Sequence, residues 1–169
     1  MYRWKETVRS KGGFYTELAA SMDELHSQDS GVGADMVAAA ITGLNEVILH
    51  MHKARQTLNQ IVMFTFADMM TAAEVGAAFC AKAARLNAMG DPESAFMMAM
   101  SRVFARKVVG IVSEGSRRCA TGLLDGSDAE ALQAAETLVK GIEARFPLAL
   151  TAGQWNDMTK VADVLKAMD

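Results

Sequence analysis

The sequence predicts an all-α protein, an up-and-down bundle of five or six helices. Hydrophobic residues make up 51% of its 169 positions, many of them Ala, Leu and Met, and only 2 residues are Pro. This composition favours helix throughout, and no stretch shows the period-two alternation of a half-buried strand. Apolar residues instead recur at spacings of three or four, as they do along the buried face of a helix. A chain of this length can bury a self-sufficient core.

Charge and cysteine content narrow the classes of function. The formal net charge is -3 with both signs interspersed, so there is no basic field for nucleic acid. The 2 Cys stand at helix-face positions and are expected to be small core residues in a reducing compartment. No apolar run reaches the roughly 18 residues of a membrane span, and the first residues lack a hydrophobic signal core. We therefore expect a cytoplasmic protein with no nucleic-acid partner and no transmembrane segment.

Residues 1–30 are expected to form a leader that contains the first helix. A short basic lead occupies residues 1–11, and a helical apolar pattern follows over residues 14–26. Residues 27–33, with two Gly and two Ser around an Asp, are the clearest loop in the chain. The helical bundle is then expected over residues 31–169, with leader and bundle forming one structural domain.

A long helix is predicted from residue 34 towards residue 58. Polarity rises at residues 56–60 without a Gly or Pro, so the residue pattern leaves open whether the chain turns or continues there. Geometry argues for a turn, because an unbroken helix over residues 34–89 would be about 80 Å long. A compact domain of this size cannot easily bury such a helix. The seam of this helix is predicted to consist of Met36, Ala40, Gly43, Val47, Met51, Ala54 and Leu58.

The rest of the chain is expected to pack around two long helices over residues 61–119. They meet at Gly90-Asp91-Pro92, where Gly90 can end the first helix, Asp91 can cap the second and Pro92 suits its first position. The first of the two has two apolar seams, which predicts a central position in the bundle. One seam consists of Val62, Phe66, Met69, Ala73, Gly76, Cys80 and Ala84, and the other of Ala72, Val75, Phe79 and Leu86.

The second of these helices is predicted to bury a single stripe. The stripe consists of Met97, Met100, Phe104, Val108, Ile111, Gly115 and Cys119. Phe104 lies at its middle and is predicted to be almost fully buried. Gly76 and Gly110 stand inside the two helices, where each costs about 1 kcal/mol relative to Ala. That cost predicts a close approach of a neighbouring helix at both glycines.

Two further helices are predicted after a connection that ends at Asp125-Gly126. Ser127 and Glu130 make the Ser-x-x-Glu capping box of the first of them. Its buried face is predicted to consist of Leu132, Ala135, Val139, Ile142 and Phe146. The last helix is predicted over residues 156–168. The side expected to be buried consists of Trp155, Met158, Ala162 and Leu165.

The sequence assigns no catalytic, cofactor-binding or metal-binding residue. His50 and His52 are two residues apart and point to different helix faces, and His26 is remote from them. Glu46 and His50 share a face, but a di-iron bundle needs Glu-x-x-His twice, and no second pair exists. A solvated or core-edge histidine is therefore favoured over a metal ligand. There is also no glycine-rich phosphate loop, no Cys-x-x-Cys pair and no Gly-x-Ser-x-Gly elbow.

Methionines and arginines form two weaker patterns. The chain has 13 Met, concentrated at residues 69–70 and 97–100, which could form an adaptable apolar groove. Core packing is the favoured interpretation, because helix-spaced methionines usually fill cores. Arg102, Arg106 and Arg117 share one side of the second long helix and could hold a phosphate or carboxylate. A solvated face is favoured over that anion site.

Segments of the two long helices resemble the all-α C-terminal domain of acyl-CoA dehydrogenases. Residues 66–75 read Phe-Ala-Asp-Met-Met-Thr-Ala-Ala-Glu-Val, similar to the family's Ala-Asp-Met-x-Thr-x-x-Glu helix. Residues 83–86 read Ala-Ala-Arg-Leu, where the family has a similar Ala-Ala segment. Residues 100–108 read Met-Ser-Arg-Val-Phe-Ala-Arg-Lys-Val, similar to the family's Phe-Ala helix. These segments lie within residues 66–108, in the family's order and with its separation.

The departures from that family concern its flavin-binding segments. The family has Arg-x-x-Phe-Gly upstream and Gly-Gly-x-Gly downstream, whereas residues 55–58 read Arg-Gln-Thr-Leu and residues 119–122 read Cys-Ala-Thr-Gly. No residue matches the family's catalytic carboxylate. The resemblance is therefore to the extra helical domain of very-long-chain-type members, which has lost its cofactor groups. Such a domain packs on the catalytic core and occupies the space that a second dimer fills in tetrameric relatives.

The resemblance implies a non-catalytic C-terminal helical domain of an FAD-dependent acyl-CoA dehydrogenase, serving packing or assembly in an enzyme of fatty acid oxidation. FAD would belong to the parent enzyme, and the partner would be its catalytic core or a second copy through self-association. The alternative is a stand-alone helical adaptor that binds a partner protein through a Met-rich apolar face. A small active flavoenzyme is disfavoured, because 169 residues omit the β-domain beside the flavin. Whether the segment belongs to an enzyme stays open.

Overall fold

The computed structural model describes residues 3–122, 124 and 127–167, and all regular structure in them is helical. The predicted all-α class is confirmed. The predicted count of five or six helices is wrong, because the described residues form eight. In chain order they are α1 (Arg3–Arg9), α2 (Gly13–Gln28), α3 (Ala34–Lys53), α4 (Gln60–Ala88), α5 (Ser94–Thr121), α6 (Ala129–Glu143), α7 (Leu148–Thr151) and α8 (Gln154–Lys166).

The two helices that the sequence does not predict are the shortest. α1 has 7 residues and occupies what was expected to be a basic lead, and α7 is a single turn of 4 residues after Pro147. An apolar period of 3.6 residues needs more than two turns to be visible in a sequence. Both helices are too short to show that period.

The leader is part of the main core. Tyr15 on α2 is fully buried in the same apolar cluster as the residues of α3, α4 and α5. Its hydroxyl donates a hydrogen bond of 2.9 Å to Glu74 Oε1 on α4. Asn45 Nδ2 on α3 donates to the carbonyl of Gly12 at 3.1 Å, which anchors the turn between α1 and α2. Residues 3–28 are therefore packed against the remainder of the bundle.

The central helix is α3, and the prediction that α4 occupies the centre is wrong. α3 is buried around most of its circumference, with α2 on one side and α4 and α5 on the other. α4 buries its first predicted seam and leaves Ile61, Phe64 and Val75 exposed. The buried residues of α3 are Ala34, Met36, Val37, Ala38, Ala40, Ile41, Gly43, Leu44, Val47, Ile48 and Met51.

The chain turns after α3, as the length argument indicates. Arg55 adopts a left-handed conformation with φ 58, and the Gln56 amide donates to the carbonyl of Met51 at 2.9 Å. Asn59 caps α4, since its side-chain oxygen accepts a hydrogen bond from the Ile61 amide at 2.9 Å. Leu58 lies outside α3, so its predicted place on the buried seam is wrong. It is 90% exposed.

The α4–α5 hairpin forms at the predicted turn. Gly90 has φ 66 and ends α4, and Asp91 Oδ1 accepts a hydrogen bond of 2.8 Å from the Glu93 amide. The helix itself begins at Ser94, later than expected. Gly76 is closely packed, because a Cβ there would lie 2.9 Å from Val108 Cγ2. The predicted close approach at Gly76 is confirmed.

The predictions for Phe104 and Gly110 are wrong. Phe104 is only half-buried, with its ring centroid 5.9 Å from that of Phe79. α5 buries a stripe that is rotated towards small residues: Ala99, Ser101, Ala105, Val108, Val109, Val112, Gly115, Ser116, Cys119 and Ala120. Ser101 fits this stripe because its hydroxyl donates to the buried carbonyl of Val32 at 2.8 Å. Gly110 lies on the outer face, and no atom is within 4 Å of where its Cβ would be.

The C-terminal helices differ most from expectation. The predicted Asp125-Gly126 turn lies outside the described residues, and the N-cap of α6 is Asp128 in place of Ser127, with a hydrogen bond of 3.0 Å from the Ala131 amide. α6 buries Ala135 and Ile142. The predicted buried side of α8 is wrong, since Trp155, Met158 and Leu165 are exposed and Ala162 is half-buried. The one residue that α8 buries is Asp157.

α4 also meets a simple length-and-composition criterion for a membrane span. Half of its most apolar 18-residue window is buried inside the fold. Core helices of folded domains meet the same criterion, so this observation is weak.

Candidate protein-binding surfaces

An exposed apolar surface surrounds the start of α4. We call it the rim, and it consists of the exposed Leu58, Ile61 and Phe64 with the half-buried Trp4 and Met63 beside them. Phe64 is 71% exposed and Ile61 is 63% exposed. Trp4, Leu58, Met63 and Phe64 line a cavity of about 470 Å³ that is open to solvent. Contiguous exposed aromatic and aliphatic side chains of this kind mark protein interfaces.

The rim follows from the local sequence. Phe64 and Phe66 are two residues apart on one helix, so they point to different faces, and Phe66 is the one that enters the core. α1 lies beside this face and brings Trp4 next to Met63 and Phe64. Arg3 Nε lies 3.3 Å from Glu74 Oε1, which ties α1 to α4 at the border of the apolar surface. An apolar centre with a charged border is the anatomy of a protein-binding patch.

A second open groove lies between α4 and α5. It encloses about 450 Å³, with Met69, Ala72, Phe104 and Ile111 among its apolar lining residues. Its charged lining residues are Asp68, Lys107, Glu114 and Arg118. The two segments that carry the acyl-CoA dehydrogenase resemblance therefore face each other across this groove.

Arg102 and Arg106 are engaged with one of the protein's own carboxylates, so the preference for a solvated face is wrong for these two, whereas Arg117 is exposed. Arg102 Nε and Arg106 Nη1 donate to Asp157 Oδ2 at 2.9 Å and 2.8 Å. Arg106 Nε also donates to the Thr151 carbonyl at 3.0 Å. Hydrogen bonds from Arg102 and then Arg106 hold the pKa of the Asp157 carboxyl below its usual range, against the opposing effect of burial. Arg117, the third arginine of the candidate anion site, pairs with Glu143.

α8 presents the third apolar surface. Trp155 is 81% exposed, and Met158, Val164 and Leu165 are also exposed. No residue of α8 belongs to the apolar core cluster found in the described part of the chain. α8 packs along α5, where Asp157 makes its ion pairs and Val161 and Ala162 are half-buried, while its large apolar residues Trp155, Met158 and Leu165 face outward.

Glu46 and His50 each interact with neighbouring groups of the protein. Glu46, the possible partner of His50, accepts a hydrogen bond from Arg145. Burial and then Lys53 lower the pKa of His50, which favours its neutral form. Across residues 3–122, 124 and 127–167 no group of three His, Cys, Asp or Glu side chains could hold a metal ion.

Both cysteines are free thiols in the interior, as predicted for small core residues. Burial raises the pKa of Cys80 and of Cys119 to about 11. Both thiols are therefore protonated at neutral pH, and the thiolate is the nucleophilic form. Cys80 instead donates to the carbonyl of Val32 over 3.4 Å, within the core between α4 and α5.

The methionine clusters pack inward, as the favoured interpretation predicts. Met69 and Met70 are buried, and Met97 and Met98 pack against the core as half-buried residues. The exposed apolar surfaces consist mainly of other residue types. The spacing of Phe64 from Phe66 is a sequence signal for the rim, because Phe64 belongs to neither predicted seam of α4. Comparison with protein-family models, with curated proteins and with solved structures finds no match to this chain.

Proposed function

We propose that the chain is a non-catalytic helical domain that docks onto a larger protein through the rim. The partner suggested by the resemblance is the catalytic core of an FAD-dependent acyl-CoA dehydrogenase, with this bundle as its C-terminal helical domain in the cytoplasm. The observation that carries the proposal is the exposure of Leu58, Ile61 and Phe64 together. Leaving three large apolar side chains in water is unfavourable by about 25 cal/mol per Å² of apolar surface. A docked partner would remove that surface from water.

Residues 55–58 and 119–122 stand where the acyl-CoA dehydrogenase family has its flavin-binding segments. Their conformation in this fold supports a structural role for the domain. Residues 55–58 form the turn after α3, with Arg55 in a left-handed conformation and Thr57 buried. At the second position Cys119 is buried in α5, and Gly122 ends that helix. Each segment therefore shapes a helix end. In this proposal FAD and the acyl chain belong to the partner.

We expect the isolated protein to bind neither FAD nor a long-chain acyl-CoA with micromolar affinity. Ligand sites bury most of a bound molecule between convergent walls, whereas the α4–α5 groove is open and its charged residues are exposed at its edge. Calorimetric titration with each compound measures this. An active acyl-CoA dehydrogenase, stripped of flavin, serves as the positive control. Micromolar binding of FAD to this chain would contradict the proposal.

The alternative is a stand-alone adaptor that binds a partner helix. The observation that favours it is the outward apolar face of α8, which provides a second surface besides the rim. Its binding residues would be Trp155, Met158 and Leu165 in place of the methionine clusters, because Met69 and Met70 are buried.

Site-specific photo-crosslinking in cells of the source organism tests both candidates. A photoreactive amino acid at Phe64 is expected to capture an acyl-CoA dehydrogenase core. The matched control places the same amino acid at Lys82, which is exposed on the same helix away from the rim. Capture of a protein unrelated to flavoenzymes from Phe64 would contradict the proposed partner, and capture of such a protein from the same amino acid at Trp155 would support the adaptor. The absence of any adduct specific to Phe64 would show that the rim docks no protein.

A further inference from the structure

The outer face of α5 is a second exposed surface, separate from the rim. Lys107, Gly110 and Glu114 are exposed on it, and Phe104 and Ile111 are half-buried beside them where the face meets α4. α4 packs along one side of α5, and the arginines that hold α8 point to the other side. The face between these neighbours is open to solvent.

No packing contact in the described part of the chain requires glycine at position 110. It stands inside a helix of 28 residues, where glycine costs about 1 kcal/mol relative to alanine. Gly76 has the same cost, but there a Cβ would lie 2.9 Å from Val108 Cγ2, so close packing explains it. At Gly110 no atom lies within 4 Å of the Cβ position. A glycine on an open helix face lets the backbone of another molecule approach closely.

Two opposite charges flank this glycine about one helical turn away on either side. Lys107 precedes Gly110 by three residues and Glu114 follows it by four, so the pair is separated by about two helical turns and lies on one line of the helix. If two α5 helices cross antiparallel around a twofold axis beside Gly110, Lys107 of each copy meets Glu114 of the other. A parallel arrangement would place Lys107 against Lys107. The charge pattern is therefore self-complementary in the antiparallel sense only.

We propose that a second copy of this chain docks on this face, with the two α5 helices antiparallel and crossing at Gly110. This is an isologous contact, in which the same surface is used by both copies. In that register Gly110 of one copy meets Ile111 of the other, which removes half-exposed apolar surface from water. Glu114 already lies 3.5 Å from Arg118, but both side chains are more than half exposed. Exposed ion pairs of this kind contribute little to stability. Replacing the Glu114–Arg118 pair by a pair between Glu114 and Lys107 of the other copy therefore costs little free energy.

Sedimentation equilibrium over a wide concentration range tests the proposal with charge reversals. Wild type is expected to dimerise, and Lys107→Glu or Glu114→Lys alone is expected to weaken the dimer about tenfold or more, since both pairs become like-charge contacts. The double variant K107E/E114K is expected to restore it. A mixture of the two single variants is expected to form heterodimers, because one copy then carries two acids where the other carries two bases. The same charge change at the remote Lys82, Lys82→Glu, is the control and is expected to leave the dimer unchanged.

Gly110→Leu provides an independent readout. The variant is expected to fold as wild type, because the space around Gly110 is empty. Its dimer is expected to be weaker by about tenfold or more, because leucine blocks the helix crossing. Phe64→Ser on the rim is expected to leave the dimer intact. A wild type that stays monomeric at every concentration would overturn the proposal, as would a dimer that responds neither to charge reversal nor to Gly110→Leu. Crosslinking at Phe64 is a separate measurement, so the two proposals can fail independently.

Discussion

Phe66→Ala is expected to lower the free energy of unfolding by about 3–5 kcal/mol, the usual cost of removing a buried phenylalanine ring. Phe66 is fully buried on α4 and belongs to the main apolar cluster. Its neighbours on the same seam, Val62 and Met69, are also buried, so closely packed side chains surround the ring. Chemical denaturation followed by circular dichroism measures the loss.

Phe64→Ala is the matched control, with the same chemical change two residues earlier on the same helix. Because Phe64 is largely exposed, the free energy of unfolding is expected to change by about 0.5 kcal/mol or less. The same variant is expected to lose docking at the rim. A smaller loss of stability for Phe66→Ala than for Phe64→Ala would show that the inner and outer faces of α4 are reversed.

The sequence predicts the inner faces of the long helices well where those faces are made of large apolar residues. The first α4 seam, from Val62 to Cys80, is buried as expected, and so is the seam of α3 from Met36 to Met51. Burial of large apolar side chains is the dominant favourable term in folding, so their spacing follows the fold. The identity of the central helix was missed because only one seam was assigned to α3, although Val37, Ile41, Leu44 and Ile48 form a second buried row beside it.

The α5 stripe was predicted only in part: Val108, Gly115 and Cys119 are buried as expected, but much of the rest of the buried side consists of small residues. Ser101, Ala105 and Ser116 are buried, whereas the larger Phe104 remains half exposed. A pattern ranked by hydrophobicity selects Phe104 over Ser101. The hydroxyl of Ser101 makes a hydrogen bond that no local sequence pattern encodes, because its acceptor, the carbonyl of Val32, is 69 residues away along the chain.

The sequence did not predict most of the candidate surfaces, because an apolar helix face can be either buried or exposed. The apolar side of α8 has regular helical spacing, but it faces solvent because Asp157 directs the opposite side towards α5. Whether an apolar stripe is buried depends on which partner helix is present, and a single sequence does not specify that partner. The turn at Arg55 was predicted from helix length alone, because a left-handed arginine is uncommon and the usual residue marker of such a turn is glycine.

Asp157→Asn is expected to release α8 from the bundle while leaving the main core folded. The carboxylate pairs with Arg102 and Arg106, and breaking a buried ion pair by removing one partner costs about 3–5 kcal/mol. No residue of α8 lies in the apolar cluster of the described residues, so no apolar burial of comparable size holds this helix. Amide hydrogen exchange followed by mass spectrometry measures the effect. Protection is expected to fall in residues 154–166 and to persist in α3.

Asp163→Asn, the same change at an exposed position of α8, is the control and is expected to leave protection unchanged. Acid gives a second readout, because the arginines hold the pKa of Asp157 below its usual value of 3.8. A lowered pKa in the folded state stabilises docking at pH values above 3.8, and this stabilisation disappears as the pH falls through the folded-state pKa. Wild-type α8 should therefore stay protected from neutral pH to about pH 4 and lose protection below it. Equal protection of α8 in wild type and Asp157→Asn would show that contacts other than these ion pairs hold the helix.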